Sequence, residues 1–159
     1  MTNRGASAVG HLADLDAVEA AAVICLRIWC DGPDARARMR RDLAGALGAC
    51  EGQGPALEAF EQLCALCARY GRRPLMRHGL HCTCLGADEA CFANIVGAAA
   101  GGDREDAMLI ASLIVRADMA PSLAGLAEVF GLALKRMSLK EAPNEAPTSP
   151  GRTQDRTLH

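Results

Sequence analysis

Apolar residues recur at steps of three and four positions along most of the chain before about position 137. That spacing places them on one face of an α-helix, the face that packs into a core. Glycine and proline interrupt the pattern at several points, where one helix ends and another begins. The pattern therefore predicts six helices, at about 12–30, 33–47, 55–70, 89–100, 104–115 and 121–137.

The starts of the fourth and fifth helices are predicted from the residues that precede them. Asp88 precedes the fourth helix and Asp103 the fifth, and aspartate is a preferred N-cap residue. Between Ala107 and Val115 the fifth helix is apolar on nearly every face. Helices of that kind belong in the centre of a bundle, so we expect the fifth helix to lie there.

The remaining segments lack the helical pattern. Residues 72–86 contain a proline and two glycines and form an irregular loop, which we expect to pack over the end of the third helix. Residues 1–11 and 138–159 are expected to be disordered, the latter because it is rich in proline, threonine and charged side chains. The sequence thus predicts a single all-α domain over 12–137, a bundle of five or six helices with one loop rich in cysteine and arginine.

Composition strengthens the helical prediction and narrows the function classes. Alanine and leucine, the best helix formers, dominate, and only five of the 159 residues are aromatic. The formal net charge of −2 disfavours general nucleic-acid binding, which depends on neutralising phosphates. The start has no basic-then-apolar block of a secretory signal, and the longest apolar runs are far shorter than the roughly 20 residues that span a bilayer. We therefore expect a cytoplasmic protein with no membrane partner.

Eight cysteines are present, and five of them lie between positions 64 and 91. In a reducing compartment such a cluster indicates metal binding, redox chemistry or plain packing rather than disulfides. Cys64 and Cys67 form one pair, and after fourteen intervening residues Cys82 and Cys84 form a second. Structural zinc sites and some iron–sulfur sites are built from two such pairs of thiolates. The spacing predicts a four-cysteine zinc site, with an iron–sulfur cluster as the less favoured cofactor.

Two neighbouring residues offer alternative ligands. His81 adjoins the second pair and Cys91 follows it in the chain, so either can replace a thiolate of the zinc site. Cys91 also falls in the first turn predicted for the fourth helix, where the helix dipole favours a thiolate. Cys64 and Cys67 lie near the C-terminal end of the third helix, where the dipole disfavours thiolates. A thioredoxin-type redox pair is therefore not expected there.

Four arginines accompany the cysteine pairs, and no acidic residue occurs between Glu61 and Asp88. A zinc ion with four thiolates carries a net charge of about −2, which neighbouring guanidinium groups stabilise. The same side chains suit an anionic partner or a protein partner. The candidate residues for this binding are Arg69, Arg72, Arg73 and Arg77.

Three functional hypotheses follow. The leading one is a small cytoplasmic accessory or regulatory protein in which zinc orders the arginine-rich loop for a partner. The second is a metal-free helical interaction module, because Cys64 and Cys67 continue an apolar stripe and cysteine packs well in cores. The third is a thiol redox sensor that uses Cys82, Cys84 or Cys91. The sequence contains no motif of a catalytic triad or a phosphate-binding loop, so an enzyme is not expected.

Overall fold

The computed structural model describes residues 4–47 and 54–141, and these residues form a mostly helical domain, as the sequence predicts. Short 3₁₀ turns occupy Arg4–Ala6, Leu12–Asp14 and Ala117–Met119. Strands β1 (Ala8–His11) and β2 (Cys84–Gly86) pair antiparallel. The helices are α1 (Ala17–Cys30), α2 (Pro33–Leu47), α3 (Gly54–Tyr70), α4 (Ala87–Gly101), α5 (Arg104–Ile114) and α6 (Ala120–Glu141).

Helix α4 lies at the centre of the bundle and packs against α1, α5 and α6. Its Phe92, Ile95 and Val96 are fully buried, because its apolar residues spread around the helix instead of forming one stripe. Gly131 of α6 lets the two helices approach closely. A Cβ at that position would lie 2.9 Å from the Ala100 Cβ and 2.9 Å from a backbone oxygen of α4.

The expectation that α5 is the central helix is wrong. Leu109 is 68 % exposed and Leu113 is 67 % exposed, and only one face of α5, formed by Ala107, Ala111 and Ile114, is buried. Two alanines on that face allow α5 to pack closely on α4 from outside. The apolar run of α5 therefore faces the core on one side and solvent on the other.

Helix α4 begins at Ala87, two residues before its predicted start, and its N-cap is Gly86 instead of Asp88. The Gly86 N–H donates to the Glu89 carboxylate at 2.8 Å, so Glu89 satisfies the backbone at the helix start. Asp88 does not cap because its carboxylate binds Arg73 and the Met76 N–H. Helix α1 has an aspartate N-cap: it begins at Ala17, five residues after its predicted start, and Asp16 forms a capping box with Glu19.

The N-terminal segment is ordered where the structure describes it, so the prediction of disorder over 1–11 is wrong for residues 4–11. Strand β1 pairs with β2, and His11 lies opposite Cys84. The N-terminal segment gains this structure by adding a strand to the edge of the loop between α3 and α4. At the other end, α6 extends helix through 138–141, which were predicted to be disordered, and 142–159 lie outside the described residues.

Helix α6 with the preceding turn, Ala117–Glu141, is long and apolar enough to cross a membrane, with a mean hydropathy of 1.3 over its most apolar window. Core helices of globular domains pass the same test of length and composition. Here 44 % of that window is buried against the bundle, including Leu123, Ala127 and Phe130. The buried apolar residues of α6 thus pack against the other helices of this domain.

Candidate functional site

The irregular loop between α3 and β2 is fixed by an ion pair in the interior of the domain. Arg27 of α1 donates to Glu89 of α4 through two bonds, Nε to Oε1 at 2.7 Å and Nη2 to Oε2 at 2.9 Å. Both side chains are fully buried. A bidentate pair of this kind is strong and directional, so it holds the two helices in one orientation.

The same two side chains bind the backbone of the loop. Arg27 also donates to the carbonyls of Gly79 at 3.1 Å, Cys82 at 2.6 Å and Cys84 at 2.7 Å. Glu89 accepts the N–H of His78 at 3.0 Å and the N–H at the start of α4. Four of the five bound backbone groups lie within 78–84, so this buried pair is a main support of that segment.

The pKa values of the pair follow from these contacts. The hydrogen bond to Glu89 raises the pKa of Arg27 above its ordinary value. Burial acts to raise the pKa of Glu89, but the hydrogen bonds from Arg27 and from two backbone N–H groups outweigh it, and the pKa is lowered. Both groups are therefore charged at neutral pH.

A second carboxylate fixes the start of the loop. Asp88 accepts two bonds of 2.7 Å from the Arg73 guanidinium and one of 2.8 Å from the Met76 N–H. The N-terminal segment covers this pair at Gly5, where a Cβ would lie 2.2 Å from Asp88 Oδ2. Only glycine fits that close approach, so the N-terminal segment and the loop are packed as one unit.

His78 and Cys82 form a hydrogen-bonded pair on this fixed loop. His78 Nδ1 lies 3.4 Å from Cys82 Sγ, and His78 Nε2 lies 2.8 Å from the Ala6 carbonyl oxygen. A carbonyl only accepts, so Nε2 carries a proton and donates it. In the neutral imidazole Nδ1 is then the acceptor and faces the Cys82 thiol, which is the arrangement a proton acceptor for that thiol needs.

Cys84 completes the site. The carbonyls of Cys82 and Cys84 both point at Arg27, and Thr83 continues the β ladder through a bond of 2.9 Å from the Leu12 N–H. The segment is thus extended, and in an extended strand residues two apart project to the same side. The backbone N–H and the thiol of Cys84 both act to lower the pKa of Cys82.

These contacts separate the two thiols in acidity. The hydrogen bond from His78 is the largest cause that lowers the pKa of Cys82, followed by the bond from the Cys84 N–H. The bond to Cys82 raises the pKa of Cys84. One sulfur is therefore a thiolate at lower pH than an ordinary cysteine, while its neighbour keeps its proton. The contact with Cys82 also raises the pKa of His78.

The first cysteine pair lies elsewhere. Cys64 and Cys67 are both 3 % exposed and belong to the core. Burial raises the pKa of Cys67 to about 12 and raises that of Cys64 well above its usual value. Together with Cys30 they line a cavity of about 440 Å³ beneath the start of the loop. Their electrostatic neighbours include Cys25 and Cys30, and neither cysteine of the loop.

The two predicted pairs are therefore not brought together. Over 4–47 and 54–141, no group of three or more histidine, cysteine, aspartate or glutamate side chains is placed to hold a metal ion. Among these described residues the alternative ligands, the exposed His81 and the half-buried Cys91, do not complete such a group with either pair. The expectation that the helix dipole favours a thiolate at Cys91 is wrong, because burial, followed by the charge of Asp88, raises the pKa of this thiol.

The four predicted arginines have separate partners. Arg73 binds Asp88, Arg72 donates to the Ser112 carbonyl at 2.8 Å, and Arg77 donates to the Cys30 carbonyl at 3.0 Å. Arg69 lies over the Tyr70 ring, 5.3 Å from its centroid. Three of the four thus contribute to holding the loop, and Arg69 faces a different part of the surface.

The sequence pattern did not predict a role in the site for Arg27, Glu89 or His78. Arg27 is the single charged residue in the apolar stretch 20–30, and that isolation is a usable signal for a buried ion. Glu89 gives a weaker signal, because an acidic residue in a first helical turn is ordinary. Nothing local to His78 distinguishes it from His81, since its partner Ala6 is 72 positions away.

Comparisons with known proteins give no further guidance, since the chain matches no family model, no curated protein and no solved structure.

Proposed function

We propose that this chain is a thiol redox protein in which Cys82 is the reactive thiol, His78 accepts its proton and Cys84 is the resolving thiol. The observation that carries the proposal is the orientation of His78, whose Nε2 is bound to the Ala6 carbonyl while Nδ1 lies 3.4 Å from Cys82 Sγ. A thiol becomes nucleophilic when a neighbouring base or cation stabilises its thiolate.

The rigidity of the loop supports this role. Reactive groups act efficiently when surrounding contacts hold them in place. Here a fully buried ion pair, which is costly to desolvate, binds the carbonyls of both Cys82 and Cys84. Both cysteines and His78 are half-buried, so a small oxidant reaches them while the backbone stays fixed.

The oxidation step balances with a hydroperoxide as oxidant. The Cys82 thiolate attacks the terminal peroxide oxygen, the O–O bond breaks, and the released alkoxide takes the proton held on His78. This leaves a sulfenic acid on Cys82. The Cys84 sulfur then attacks the Cys82 sulfur, and the departing hydroxide leaves as water with the Cys84 proton. The product is a Cys82–Cys84 disulfide, and the two cysteines together lose two electrons to the peroxide.

The disulfide is expected to be easily reduced. Two residues of extended strand advance about 6.6 Å, which is close to the upper limit of about 6.8 Å for the Cα separation in disulfides. A strained bond of this kind is characteristic of regulatory or catalytic disulfides, while structural ones resist reduction. A small dithiol restores both thiols by exchange, becoming a cyclic disulfide itself. The geometry therefore favours a reversible switch.

Treating the reduced full chain with hydrogen peroxide tests the proposal. Peptide mass spectrometry is expected to find a Cys82–Cys84 disulfide, which a dithiol reverses. In Cys84→Ser, Cys82 should stop at the sulfenic acid, which a carbon nucleophile such as dimedone traps. Cys91→Ser is the matched control, because this half-buried thiol has a raised pKa and should leave the disulfide yield unchanged.

Two results would contradict the proposal. One is peroxide consumption by Cys30 or Cys91 in preference to Cys82 in the wild-type chain. The other is dimedone labelling of Cys84→Ser no faster at Cys82 than at Cys91. Since the variants alter half-buried side chains, circular dichroism of each verifies that the helical content is retained.

Zinc binding stays a prediction of the sequence, and it is tested independently. Elemental analysis of freshly purified protein measures metal per chain. A content of about one zinc per wild-type chain, lost in both Cys64→Ser and Cys82→Ser, would support the four-cysteine site over the redox role. Zinc below a tenth of the chain concentration would remove that site.

A further inference from the structure

A cleft on the opposite side of α3 from its core face has features of a ligand site. It lies between α3 and α6, with a volume of about 760 Å³, within the range of roughly 300–1,000 Å³ typical of small-molecule pockets. Phe60 stacks on Phe130 with ring centroids 4.7 Å apart. The Arg116 N–H donates to the Tyr70 carbonyl at 3.1 Å. The two helices are thus antiparallel along the cleft.

The floor of the cleft is apolar. Leu66 of α3, Leu126 of α6 and Met119 of the preceding turn line it, and each is half-buried against the core. Gly125 has no side chain, so the α6 side of the cleft is open at this position. A Cβ there would have one neighbour within 4 Å, Arg104 Nη2 at 3.8 Å. An apolar group of moderate size can therefore lie on this floor out of water.

The charged groups around the floor are two arginines, and the uncharged polar ones, including Gln62, can both donate and accept hydrogen bonds. Arg69 and Tyr70 come from the end of α3, Arg104 from the start of α5, and Ser122 from the first turn of α6. No lining residue in the described ranges is acidic. Arg104 has only a long, exposed contact of 3.4 Å with Glu128 just outside the cleft, and Arg69 has a ring contact and no carboxylate partner among the described residues. Both guanidinium groups are available to an anion.

We propose that this cleft binds an organic anion, a carboxylate carried on an apolar body. The floor takes the body, and Arg69 and Arg104 take the carboxylate, for which the planar guanidinium is well matched. An exposed ion pair alone contributes little, so binding depends on both parts together. An inorganic anion lacks contact with the floor, and an organic cation is repelled by the two arginines. This inference is independent of the redox role proposed for Cys82.

Titration of the ¹⁵N-labelled full chain, followed by NMR, tests the proposal with three probes. These are decanoate below its micelle-forming concentration, decanol as the uncharged match, and decyltrimethylammonium as the cationic match. Decanoate is expected to shift the Gly125 and Ser122 amide signals at saturation. Decanol should bind about tenfold more weakly, because it loses the contacts with both guanidinium groups.

Three variants separate charge from shape. Arg69→Gln with Arg104→Gln should weaken decanoate binding by about tenfold or more and leave decanol binding unchanged. Gly125→Leu should abolish both, since the new side chain fills the cleft, and leucine is a better helix former than glycine. Arg41→Gln, with the same loss of charge on an exposed part of α2, should change neither.

The proposal is overturned if decanoate and decyltrimethylammonium bind equally, or if decanoate binds Gly125→Leu as well as the wild type. Shifts outside the cleft, with none at Gly125, would also overturn it.

Discussion

Replacing Arg27 with methionine is expected to lower the free energy of unfolding by about 3–5 kcal/mol. The substitution leaves the Glu89 carboxylate fully buried without its partner, and it removes the donors to three loop carbonyls. Methionine keeps the unbranched apolar stem of arginine but not its guanidinium group, so the loss reports the charge and the hydrogen bonds together with the space that this group vacates. This is the largest single-residue effect expected for stability.

Urea unfolding followed by circular dichroism measures the change. Arg38→Met on α2 is the matched control, because Arg38 is exposed and its replacement is expected to cost less than about 0.5 kcal/mol. The double variant Arg27→Met, Glu89→Met should lose less than the sum of the two single variants, since neither charge is then left alone. A loss below 1 kcal/mol for Arg27→Met would contradict the view that this pair holds the loop.

The pair also sets how stability depends on pH. The pKa of Glu89 is lower in the folded protein than in the unfolded chain. Its contribution is therefore complete above the unfolded pKa and is lost as the pH falls through the folded pKa. In Glu89→Gln the fall in stability on acidification should be shallower than in the wild type. The difference is measured by urea midpoints between neutral pH and the acid transition.

Replacing His78 with glutamine is expected to slow alkylation of Cys82 by iodoacetamide several-fold at pH 7, because the pKa of the thiol rises without the His78 contact and a smaller fraction of Cys82 is then thiolate. The His78 contact is the largest cause of the lowered pKa of Cys82. Without it the thiolate should form at higher pH, and the midpoint of the rate profile moves upward. Glutamine stays neutral at every pH and keeps a polar side chain at this position.

The rate is measured as the pH dependence of Cys82 alkylation, read from peptide masses after a timed quench. Cys91 in the same digest is the internal control, since its pKa is set by burial and Asp88 and its rate should not change. A Cys82 midpoint that is the same in His78→Gln and the wild type would mean that His78 does not activate the thiol. Equal slowing at Cys91 would indicate a general change of the fold instead.

The helices of this domain could be predicted because their signal is local. Steps of three and four positions fix which side of a helix is apolar, and α2 and α3 lie where that pattern predicts. Helix α1 begins at Ala17, five residues after its predicted start, and α6 continues four residues past its predicted end. Local capping rules failed at α4, where Asp88 looks like an N-cap by residue type. In the folded chain the Asp88 side chain is bound to Arg73, and Gly86 caps the helix.

The candidate site was predicted only in part. The sequence indicated the loop over 72–86 and its two cysteines, because chemically active residues without helical periodicity stand out. Its predicted partners, Cys64 and Cys67, continue an apolar stripe and pack in the core, as the second hypothesis allowed. The role of His78 could not be predicted, since the orientation of its imidazole depends on a hydrogen bond to the Ala6 carbonyl in the N-terminal segment.

The sequence by itself determined the helical class, the apolar stripes of helices such as α1 and α3 and the loop that carries Cys82 and Cys84, because each depends on spacing along a few turns of chain. It did not determine that α4, and not α5, is the central helix. Only the tertiary structure decided which groups meet. Arg27 and Glu89 are 62 positions apart, and their pairing follows from how α1 crosses α4. Local spacing in the sequence does not specify how α1 crosses α4. That crossing depends on how the packed faces of all the helices fit together.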